Sequence, residues 1–324
     1  MYYIGIDIGG TTIKAGIVSK YAEILGTGSI PTIADEKCDQ IITGIVKLCS
    51  KLIHDSHLFV SDIYGIGIGI PGTIDEKSGT IVYSNNLAIE NIPIVERLKK
   101  HTHIPVLIGN DANCAAVGER IFGNARGNDN IIFITLGTGI GTGIIQDGKL
   151  LTGRCGAGAE GGHMVISCDG ERCTCGRKGC WEAYASATAL IRMTKKAIEK
   201  NPNGKLAAVA KEEGKVSGRT AFKAEKIGDG DATNIVNDYI RYIAEGIINL
   251  INIFRPEKVL IGGGMSNEGD HFIERIERIV MKESYGGERN PRVIVTKAGL
   301  LNNAGILGAA SLCIPSDIKR DEEF

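Results

Sequence analysis

The stretch Asp7-Ile8-Gly9-Gly10-Thr11-Thr12-Ile13-Lys14 decides the fold of this 324-residue chain. The apolar run from Ile4 to Ile8 predicts a buried strand, and Ile13 to Val18 predicts its hairpin partner, so the paired glycines and threonines form the turn between them. Backbone N–H groups and threonine hydroxyls in such a turn can converge on an anion. One glycine turn alone is weak evidence, because ordinary hairpins also need glycine.

The same pattern returns about 130 residues later. Ile131 to Leu136 predicts a strand, the turn is Gly137-Thr138-Gly139-Ile140-Gly141-Thr142-Gly143, and Ile144-Ile145 begins the return strand. Two copies of one hairpin imply two similar half-structures that face each other across a cleft. A third glycine cluster, Gly262 to Gly264, ends the predicted strand Lys258 to Ile261. Three such turns favour a nucleoside triphosphate in the cleft over purely structural turns.

The remaining patterns alternate between strand and helix, which is typical of an α/β protein with mixed sheets. The predicted elements are a strand at Glu23 to Ile30, a helix at Asp39 to Leu58, a strand at Ile63 to Ile70, a strand at Pro105 to Gly109 before a helix that starts near Asp111, a helix at Asp231 to Phe254 with Asp231 as its cap, and a last helix at Asn303 to Leu312. The polar, glycine-punctuated stretch from Asn201 to Gly230 predicts a peripheral excursion without a clear pattern.

Gly67-Ile68-Gly69-Ile70-Pro71-Gly72 formally fits the dinucleotide fingerprint G-x-G-x-x-G. We reject this interpretation, because Thr73 to Glu76 predicts a turn and no helix N-terminus would hold a pyrophosphate. The phosphate-loop pattern G-x-x-x-x-G-K-[ST] is absent from the sequence as well.

Composition excludes several classes of protein. The formal net charge is −1, with 37 basic and 38 acidic residues, so the basic footprint of a nucleic-acid binder is missing. No run of eighteen apolar residues predicts a membrane span, and Met1 leads directly into strand-like sequence without a secretory signal. A cytoplasmic, reducing location is therefore expected. Five of the nine cysteines fall between Cys155 and Cys180, which in a reducing compartment favours a metal over disulfides.

His163, Cys173, Cys175 and Cys180 form a metal-ligand pattern. Three thiolates and one imidazole make a closed tetrahedral shell that suits structural Zn²⁺. The alternatives are disulfides or unrelated buried thiols, and Cys168 is close enough in sequence to compete as a ligand. His163 also ends the cluster Glu160-Gly161-Gly162-His163, so a metal on one ring nitrogen would fix where the other points.

Acidic side chains next to these features are candidates for chemistry. Asp111 follows the strand Pro105 to Gly109, at the end of a strand where ligands of α/β proteins collect. Two roles are open to it, a cap of the helix and a general base on a sugar hydroxyl, and one residue can have both. Glu160 and Glu182 flank the cysteine cluster, and acceptors at this density suit a polyol.

Taken together, these residues resemble the ROK family, the group of repressors, open reading frames and sugar kinases in the actin-like and hexokinase-like superfamily. The most specific matches are Glu160-Gly-Gly-His163 and Cys173-x-Cys175-Gly-x-x-Gly-Cys180-x-Glu182. The resemblance implies two actin-like (ribonuclease H-like) α/β domains whose mixed sheets are flanked by helices and face a central cleft. The domains would be 1–112, joined by the C-terminal helix 302–316, and 113–301, which carries the zinc module.

The resemblance also assigns roles by position. Asp111 is the implied catalytic base. The implied sugar ligands are Gly72, Asn86, Asn110, Asp111, Glu160, His163 and Glu182. The implied residues around ATP and Mg²⁺ are Asp7, Gly9, Gly10, Thr11, Thr12, Lys14, Thr138, Gly139, Gly262, Gly263 and Gly264. Zn²⁺ would be structural, and the chain is expected to form a homodimer.

The expected activity is phosphorylation of a hexose at the 6-hydroxyl by ATP, with glucose as the substrate. Other hexoses or amino sugars (N-acetylmannosamine, fructose, allose) remain alternatives, because Leu87 is followed by Ala88-Ile89-Glu90 where many family glucokinases have glycine and tryptophan. Polyphosphate in place of ATP is a further alternative for the donor. A sugar-sensing repressor without kinase activity is the rival from another class. We expect it less, because the phosphate hairpin begins at Asp7 and leaves no room for a preceding helix-turn-helix.

Overall fold

The computed structural model describes residues 1–32, 38–84 and 87–314. Its strands are β1 (Tyr2–Ile8), β2 (Thr12–Ser19), β3 (Ile24–Pro31), β4 (Ile63–Ile70), β5 (Thr73–Asp75), β6 (Thr80–Ser84), β7 (Ile89–Ile92), β8 (Val106–Asn110), β9 (Ile131–Leu136), β10 (Ile140–Gln146), β11 (Lys149–Leu150), β12 (Lys258–Gly262) and β13 (Ile294–Lys297). Its helices are α1 (Cys38–Asp55), α2 (Ile94–Lys99), α3 (Asp111–Phe122), α4 (Glu182–Ala185), α5 (Ala187–Lys200), α6 (Lys205–Glu212), α7 (Thr220–Lys226), α8 (Gly230–Phe254), α9 (Asp270–Glu283) and α10 (Ala304–Ser311). None of the helices in the described ranges is both long and apolar enough to cross a membrane.

Two five-stranded sheets repeat one strand order. The first is β3-β2-β1-β4-β8 and the second is β11-β10-β9-β12-β13, so each has the order third, second, first, fourth, fifth along its own stretch of chain. In the first sheet β1 is antiparallel to β2 and parallel to β4. In the second, β12 is parallel to both β9 and β13. The repetition predicted from the two glycine and threonine turns is therefore confirmed within each sheet.

The alternation of isoleucine and glycine in β1 and β4 gives the first sheet two different faces. Because successive side chains of a strand point to opposite faces, isoleucines such as Ile4 and Ile68 enter one apolar core together with α1. Glycines line the other face, where α10 packs directly on the backbone. A Cβ atom at Gly5 would lie 1.9 Å from the carbonyl oxygen of Ile306, and one at Gly67 would lie 1.8 Å from that of Ala309. These glycines are therefore packing requirements of α10. No helix follows the G-x-G-x-x-G stretch, since β5 comes next, as the rejected dinucleotide interpretation requires.

Three predicted elements differ from the structure. The stretch from Asn201 to Gly230 contains α6 and α7, which sequence patterning missed. The cap of α8 is Asp229 and not Asp231, because the Asp229 carboxylate accepts from the N–H of Ala232 (2.7 Å) and also from the N–H of Leu206 (2.9 Å). The second glycine turn is shorter than predicted, because Ile140 already begins β10.

The chain divides into two compact units. Unit 1 comprises Met1–Asp129, Gly143–Ala159 and Gly299–Phe324, and unit 2 comprises Asn130–Thr142 and Glu160–Ala298. The domain limits predicted from the sequence, 1–112 with 302–316 and 113–301, stay a prediction.

Candidate functional site

The predicted metal ligands of unit 2 lie together. The ligand atoms of His163, Cys173, Cys175 and Cys180 are all within 4.8 Å of one another. Cys175 Sγ is 3.6 Å from Cys180 Sγ, and Cys173 Sγ is 3.5 Å from His163 Nδ1. A tetrahedral zinc ion with bonds of about 2.3 Å to sulfur and about 2.0 Å to nitrogen needs ligand separations of roughly 3.5–3.8 Å. The separations of 3.6 Å and 3.5 Å match this geometry, and the grouping of all four ligand atoms is compatible with such an ion.

The structure also bears on the disulfide alternative and on Cys168 as a competing ligand. All eight cysteines whose side chains it describes are free, which disfavours disulfides. Cys168 is exposed and does not belong to the group of four ligands. The other four side chains supply the four ligands of a tetrahedral site without Cys168.

The segment Glu160 to His163 is held against the start of β10. The N–H of Gly161 donates to Thr142 Oγ1 at 2.9 Å, and a Cβ atom at Gly162 would lie 2.2 Å from the carbonyl oxygen of Ile140. The two glycines thus let the segment approach the strand closely enough to place His163 in the metal cluster. His163 presents Nδ1 to Cys173, so Nε2 is the nitrogen left for another partner.

The two predicted acidic sugar ligands differ in environment. Glu160 is exposed, yet the loss of water on its protein-facing side raises the pKa of the carboxyl, with His163 lowering it and Glu182 raising it further. Glu182, the first residue of α4, is bonded on both oxygens: Oε2 accepts from the N–H of Ile140 (2.9 Å) and Oε1 from Thr174 Oγ1 (3.3 Å). A carboxylate has about four acceptor positions, so these bonds leave room for a sugar hydroxyl.

Trp181 fixes the metal-ligand segment to the rest of unit 2. Its side chain is fully buried, and its Nε1–H donates to the carbonyl oxygen of Tyr242 in α8 at 2.8 Å. Gly246 provides the space, since a Cβ atom there would lie 2.0 Å from Trp181 Cε2. Because Trp181 stands between Cys180 and Glu182, its anchoring positions a metal ligand and a predicted sugar ligand together.

In both units, a segment outside the glycine and threonine turn donates hydrogen bonds to carbonyl oxygens of the turn. In unit 1, Gly9 N–H donates to Thr12 O, and Thr32 donates its N–H to Thr11 O and its hydroxyl to Gly9 O. In unit 2, Ala187 N–H donates to Gly137 O and the Thr188 hydroxyl donates to Thr138 O. Two carbonyl oxygens of each turn are bonded in this way, whereas the N–H groups of Gly10, Thr11, Thr138 and Gly139 bond to no acceptor among the described residues. Both turns therefore present amides that suit an anion.

Asp7 and Lys14 lie opposite each other beside the first turn, in the register of β1 and β2. Burial raises the pKa of the Asp7 carboxyl, and the positive charge of Lys14 partly opposes this shift. The carboxyl packs against Gly305 of α10, where a Cβ atom would lie 2.4 Å from Asp7 Oδ2. A nearby cation stabilises the ionised form of such a carboxylate, and carboxylate oxygen is a ligand that Mg²⁺ prefers.

The third glycine cluster follows β12, and its three glycines differ in how closely other atoms surround them. Gly262 faces the ring of Phe133, and Gly263 has φ +81° with a Cβ position 2.5 Å from the carbonyl oxygen of Leu136, so packing and backbone require both glycines. No atom of the described residues lies within 4 Å of the Cβ position of Gly264. Only Gly264 therefore offers open space for a ligand to approach.

Asp111 is the first residue of α3 and is not its cap. The cap is Asn110, whose Oδ1 accepts from the N–H groups of Ala112 (2.9 Å) and Asn113 (3.2 Å) and whose Nδ2 donates to Gly72 O (3.1 Å). Gly72 has φ +124° and a Cβ position 2.2 Å from Tyr83 O, so it must be glycine. Asp111 Oδ1 accepts from the N–H of Ala112 at 2.9 Å. The capping role predicted as one alternative for Asp111 thus belongs to Asn110. Asn86 lies outside the described residues.

Sequence reasoning missed Thr32, Thr188, Trp181 and Glu119. Glu119 is fully buried in unit 1, and its carboxylate accepts from the N–H groups of Asn124 (2.9 Å), Gly299 (3.0 Å) and Leu300 (2.8 Å). A charged residue inside the apolar pattern of α3 was the available signal, because buried carboxylates need several donors.

The repeated strand order, with a glycine and threonine turn after the first strand of each sheet, defines the actin-like ATPase fold. This chain belongs to the ROK family, whose model matches residues 3–315. It is 37% identical over 317 residues to the glucokinase of Thermotoga maritima, covering 95% of this chain and 96% of that protein.

A solved structure and a second curated relative extend the comparison. The crystal structure of a ROK family glucokinase from Streptomyces griseus in complex with glucose and AMPPNP superposes with a TM-score of 0.83 at 35% identity, covering 96% of this chain and 99% of that chain. The xylose repressor of Caldicellulosiruptor bescii is 30% identical over 99% of this chain and 80% of its own length. The predicted family and fold class are confirmed.

Proposed function

We propose that this protein is a glucokinase that transfers the γ-phosphoryl group of ATP to the 6-hydroxyl of glucose. The glucokinase relative and the glucose- and AMPPNP-bound structure support the substrates. The observation that carries the proposal is the arrangement of polar groups within each unit. Unit 1 has a carboxylate at the end of β8 beside a capped helix, and unit 2 has two carboxylates and an imidazole around a metal-ligand cluster.

Asp111 is the proposed general base. Its position at the N-terminus of α3 favours the ionised carboxylate, because the helix dipole stabilises negative charge there. The carboxylate would accept the proton of the 6-hydroxyl while the sugar oxygen attacks the γ-phosphorus. Asn110 keeps Asp111 in place by capping the helix and by holding Gly72, which is also a proposed sugar ligand.

The proposed phosphate sites are the two turns, residues 9–12 and 138–139, with Lys14 beside the first. Asp7 would hold Mg²⁺, whose charge neutralises the phosphates when it is bound. Gly262, Gly263 and Gly264 are the proposed nucleoside side, where Gly264 has open space. Phosphoryl transfer needs mainly alignment and charge neutralisation from the protein, which amides and carboxylates in fixed positions provide.

In unit 2, His163, Cys173, Cys175 and Cys180 would hold a structural Zn²⁺. With Nδ1 of His163 turned to the cysteines, Nε2 is the proposed donor to a sugar hydroxyl. Glu160 and Glu182 are the proposed acceptors for further hydroxyls. A polyol is recognised by such a set because each hydroxyl can both donate and accept.

A coupled assay of ADP release tests the substrate. The purified protein with ATP and Mg²⁺ is given glucose, mannose, fructose, allose, N-acetylmannosamine or N-acetylglucosamine, and polyphosphate replaces ATP in a second series. We expect the highest kcat/KM with glucose and ATP. A higher value with another sugar would move the assignment to that sugar, and no turnover with any of them would contradict a kinase.

The substitution Asp111→Asn tests the base. It should lower kcat by about 10²- to 10⁴-fold, because the amide cannot accept the proton, while glucose binding measured by calorimetry largely survives. Asp39→Asn is the control, since Asp39 pairs with Arg97 at the surface. A rate near that of the wild type would reject Asp111 as the base.

A sugar-sensing repressor is the second candidate, favoured by the xylose repressor relative. It would bind sugar in calorimetry and release no ADP in the assay above. The homodimer, a cytoplasmic location and a role in glycolysis stay predictions. Sedimentation analysis tests the first of them.

A further inference from the structure

One carboxylate connects the metal-ligand segment of unit 2 to the turn that we propose as a phosphate site. Glu182 Oε2 accepts from the N–H of Ile140, the residue directly after Gly139. Glu182 Oε1 accepts from the hydroxyl of Thr174 and lies 3.7 Å from Cys173 Sγ. Thr174 stands between two of the metal ligands, so a metal that fixes both cysteines also fixes this hydroxyl.

The first turn has no counterpart of this bond among the described residues. Thr32 donates to two carbonyl oxygens of the first turn, and Ala187 and Thr188 donate to two of the second. However, no carboxylate in the described part of the chain accepts from the N–H of Thr12, the residue that follows the first turn. The bond from Ile140 to the Glu182 carboxylate is therefore found only in the second of these turns, and Glu182 also bonds to Thr174 of the metal-ligand segment.

Gly139 shows how closely the carboxylate fits the turn. A Cβ atom at this position would lie 2.2 Å from Glu182 Oε2, although the backbone of Gly139 does not have a positive φ. A side chain at this position would therefore displace the carboxylate from the turn. Gly137, in the same turn, has no atom within 4 Å of its Cβ position.

We infer that Glu182 is a positioning residue that makes the conformation of the turn at 138–140 depend on metal occupancy of the His163, Cys173, Cys175 and Cys180 cluster. With metal bound, Thr174 and Glu182 hold Ile140, and the amides of Thr138 and Gly139 keep the orientation that an anion requires. Loss of metal frees Thr174 and weakens this hold. The consequence for nucleotide binding rests on the proposed function.

The turn end of this connection is tested by hydrogen exchange of the Ile140 amide, followed by NMR without sugar or nucleotide. Gly139→Ala displaces the carboxylate and touches no metal ligand, so exchange should become about tenfold faster or more. Gly137→Ala is the matched control and should leave the exchange rate within twofold of the wild type. Equal rates in the two variants would overturn the inference.

The metal end is tested in the same assay with Thr174→Val and with the wild-type protein after chelation. Thr174→Val keeps all four ligands, so zinc content should stay at one per chain while Ile140 exchanges several-fold faster. Chelation should accelerate exchange further, and added zinc should restore it. A Thr174→Val protein with full zinc and unchanged exchange would contradict the connection to the metal.

Kinetics separate positioning from general stability. Thr174→Val should raise the KM for ATP several-fold with kcat within twofold, whereas a purely structural effect at 25 °C would change neither. An unchanged KM for ATP despite faster exchange would overturn the consequence for nucleotide binding. Because exchange is measured without substrates, absence of ADP release by the wild type would overturn the proposed function and leave the exchange result standing.

Discussion

Replacing Gly246 by alanine should loosen the metal-ligand segment from α8. The added Cβ atom would lie 2.0 Å from Trp181 Cε2, 2.2 Å from Cδ2 and 2.5 Å from Nε1, while ordinary contact begins near 3.4 Å. The buried indole must therefore move by more than about 1 Å. This movement also stretches the bond from Nε1 to Tyr242 O, which is 2.8 Å long.

The expected cost follows from these contacts. Overpacking a filled core costs about 1–3 kcal/mol, and weakening the indole hydrogen bond adds about 1 kcal/mol. Alanine favours a helix over glycine by about 1 kcal/mol, which offsets part of this. The free energy of unfolding should thus fall by about 1–3 kcal/mol.

Urea unfolding followed by tryptophan fluorescence measures this change, because Trp181 is the only tryptophan of the chain. Gly230→Ala is the matched control: Gly230 is the first residue of the same helix and has no atom within 4 Å of its Cβ position. Gly246→Ala should also shift the native emission to longer wavelength and lower the zinc content. The reasoning is refuted if both variants unfold at the same urea concentration with the emission of the wild type.

Three further predictions concern the metal and two buried carboxyls. Dialysis against a chelator should lower the thermal midpoint, because a metal bound only by the native state stabilises it; a zinc-free protein of equal stability and activity would contradict this. Burial raises the pKa of Glu268 despite Arg219. The native state therefore holds this proton more tightly, and stability from Glu268 is lost as pH rises through its folded pKa. Glu268→Gln should accordingly be more stable than the wild type at pH 7 and equal to it near pH 4 in urea unfolding, whereas a constant difference would refute the assignment. Glu119→Ala should cost about 3 kcal/mol, because it removes the shared carboxylate acceptor of three backbone N–H groups, and Glu119→Gln should cost less; a loss below about 1 kcal/mol would show that water replaces the carboxylate.

The metal cluster was largely predictable from the sequence because its ligands are close in the chain. Cys173, Cys175 and Cys180 lie within eight positions, and only His163 is more distant. A short loop has few ways to bring such ligands together. The predicted grouping is accordingly found in the structure, with all ligand atoms within 4.8 Å.

The helix caps were less predictable, because a cap depends on where the preceding chain leads. Asp111 and Asp231 are both acidic residues near a helix start, yet Asn110 and Asp229 are the caps. Asp229 caps α8 while its other oxygen binds Leu206 of α6, a helix that sequence patterning did not detect. Shifts of one or two residues are decided by such long-range bonds, here from Asn110 to Gly72 and from Asp229 to Leu206.

The sequence by itself determined the strands around the two glycine and threonine turns, the long helices α1 and α8, and the set of metal ligands. These features depend on periodicity, turn chemistry and spacing, which act over short stretches of chain. The tertiary structure alone decided that Gly5 and Gly67 admit α10, that Gly246 admits Trp181, and that Glu182 joins the second turn to the cysteines. Each of these contacts pairs residues far apart in the chain, and close packing fixes them only once the sheets and helices have assembled.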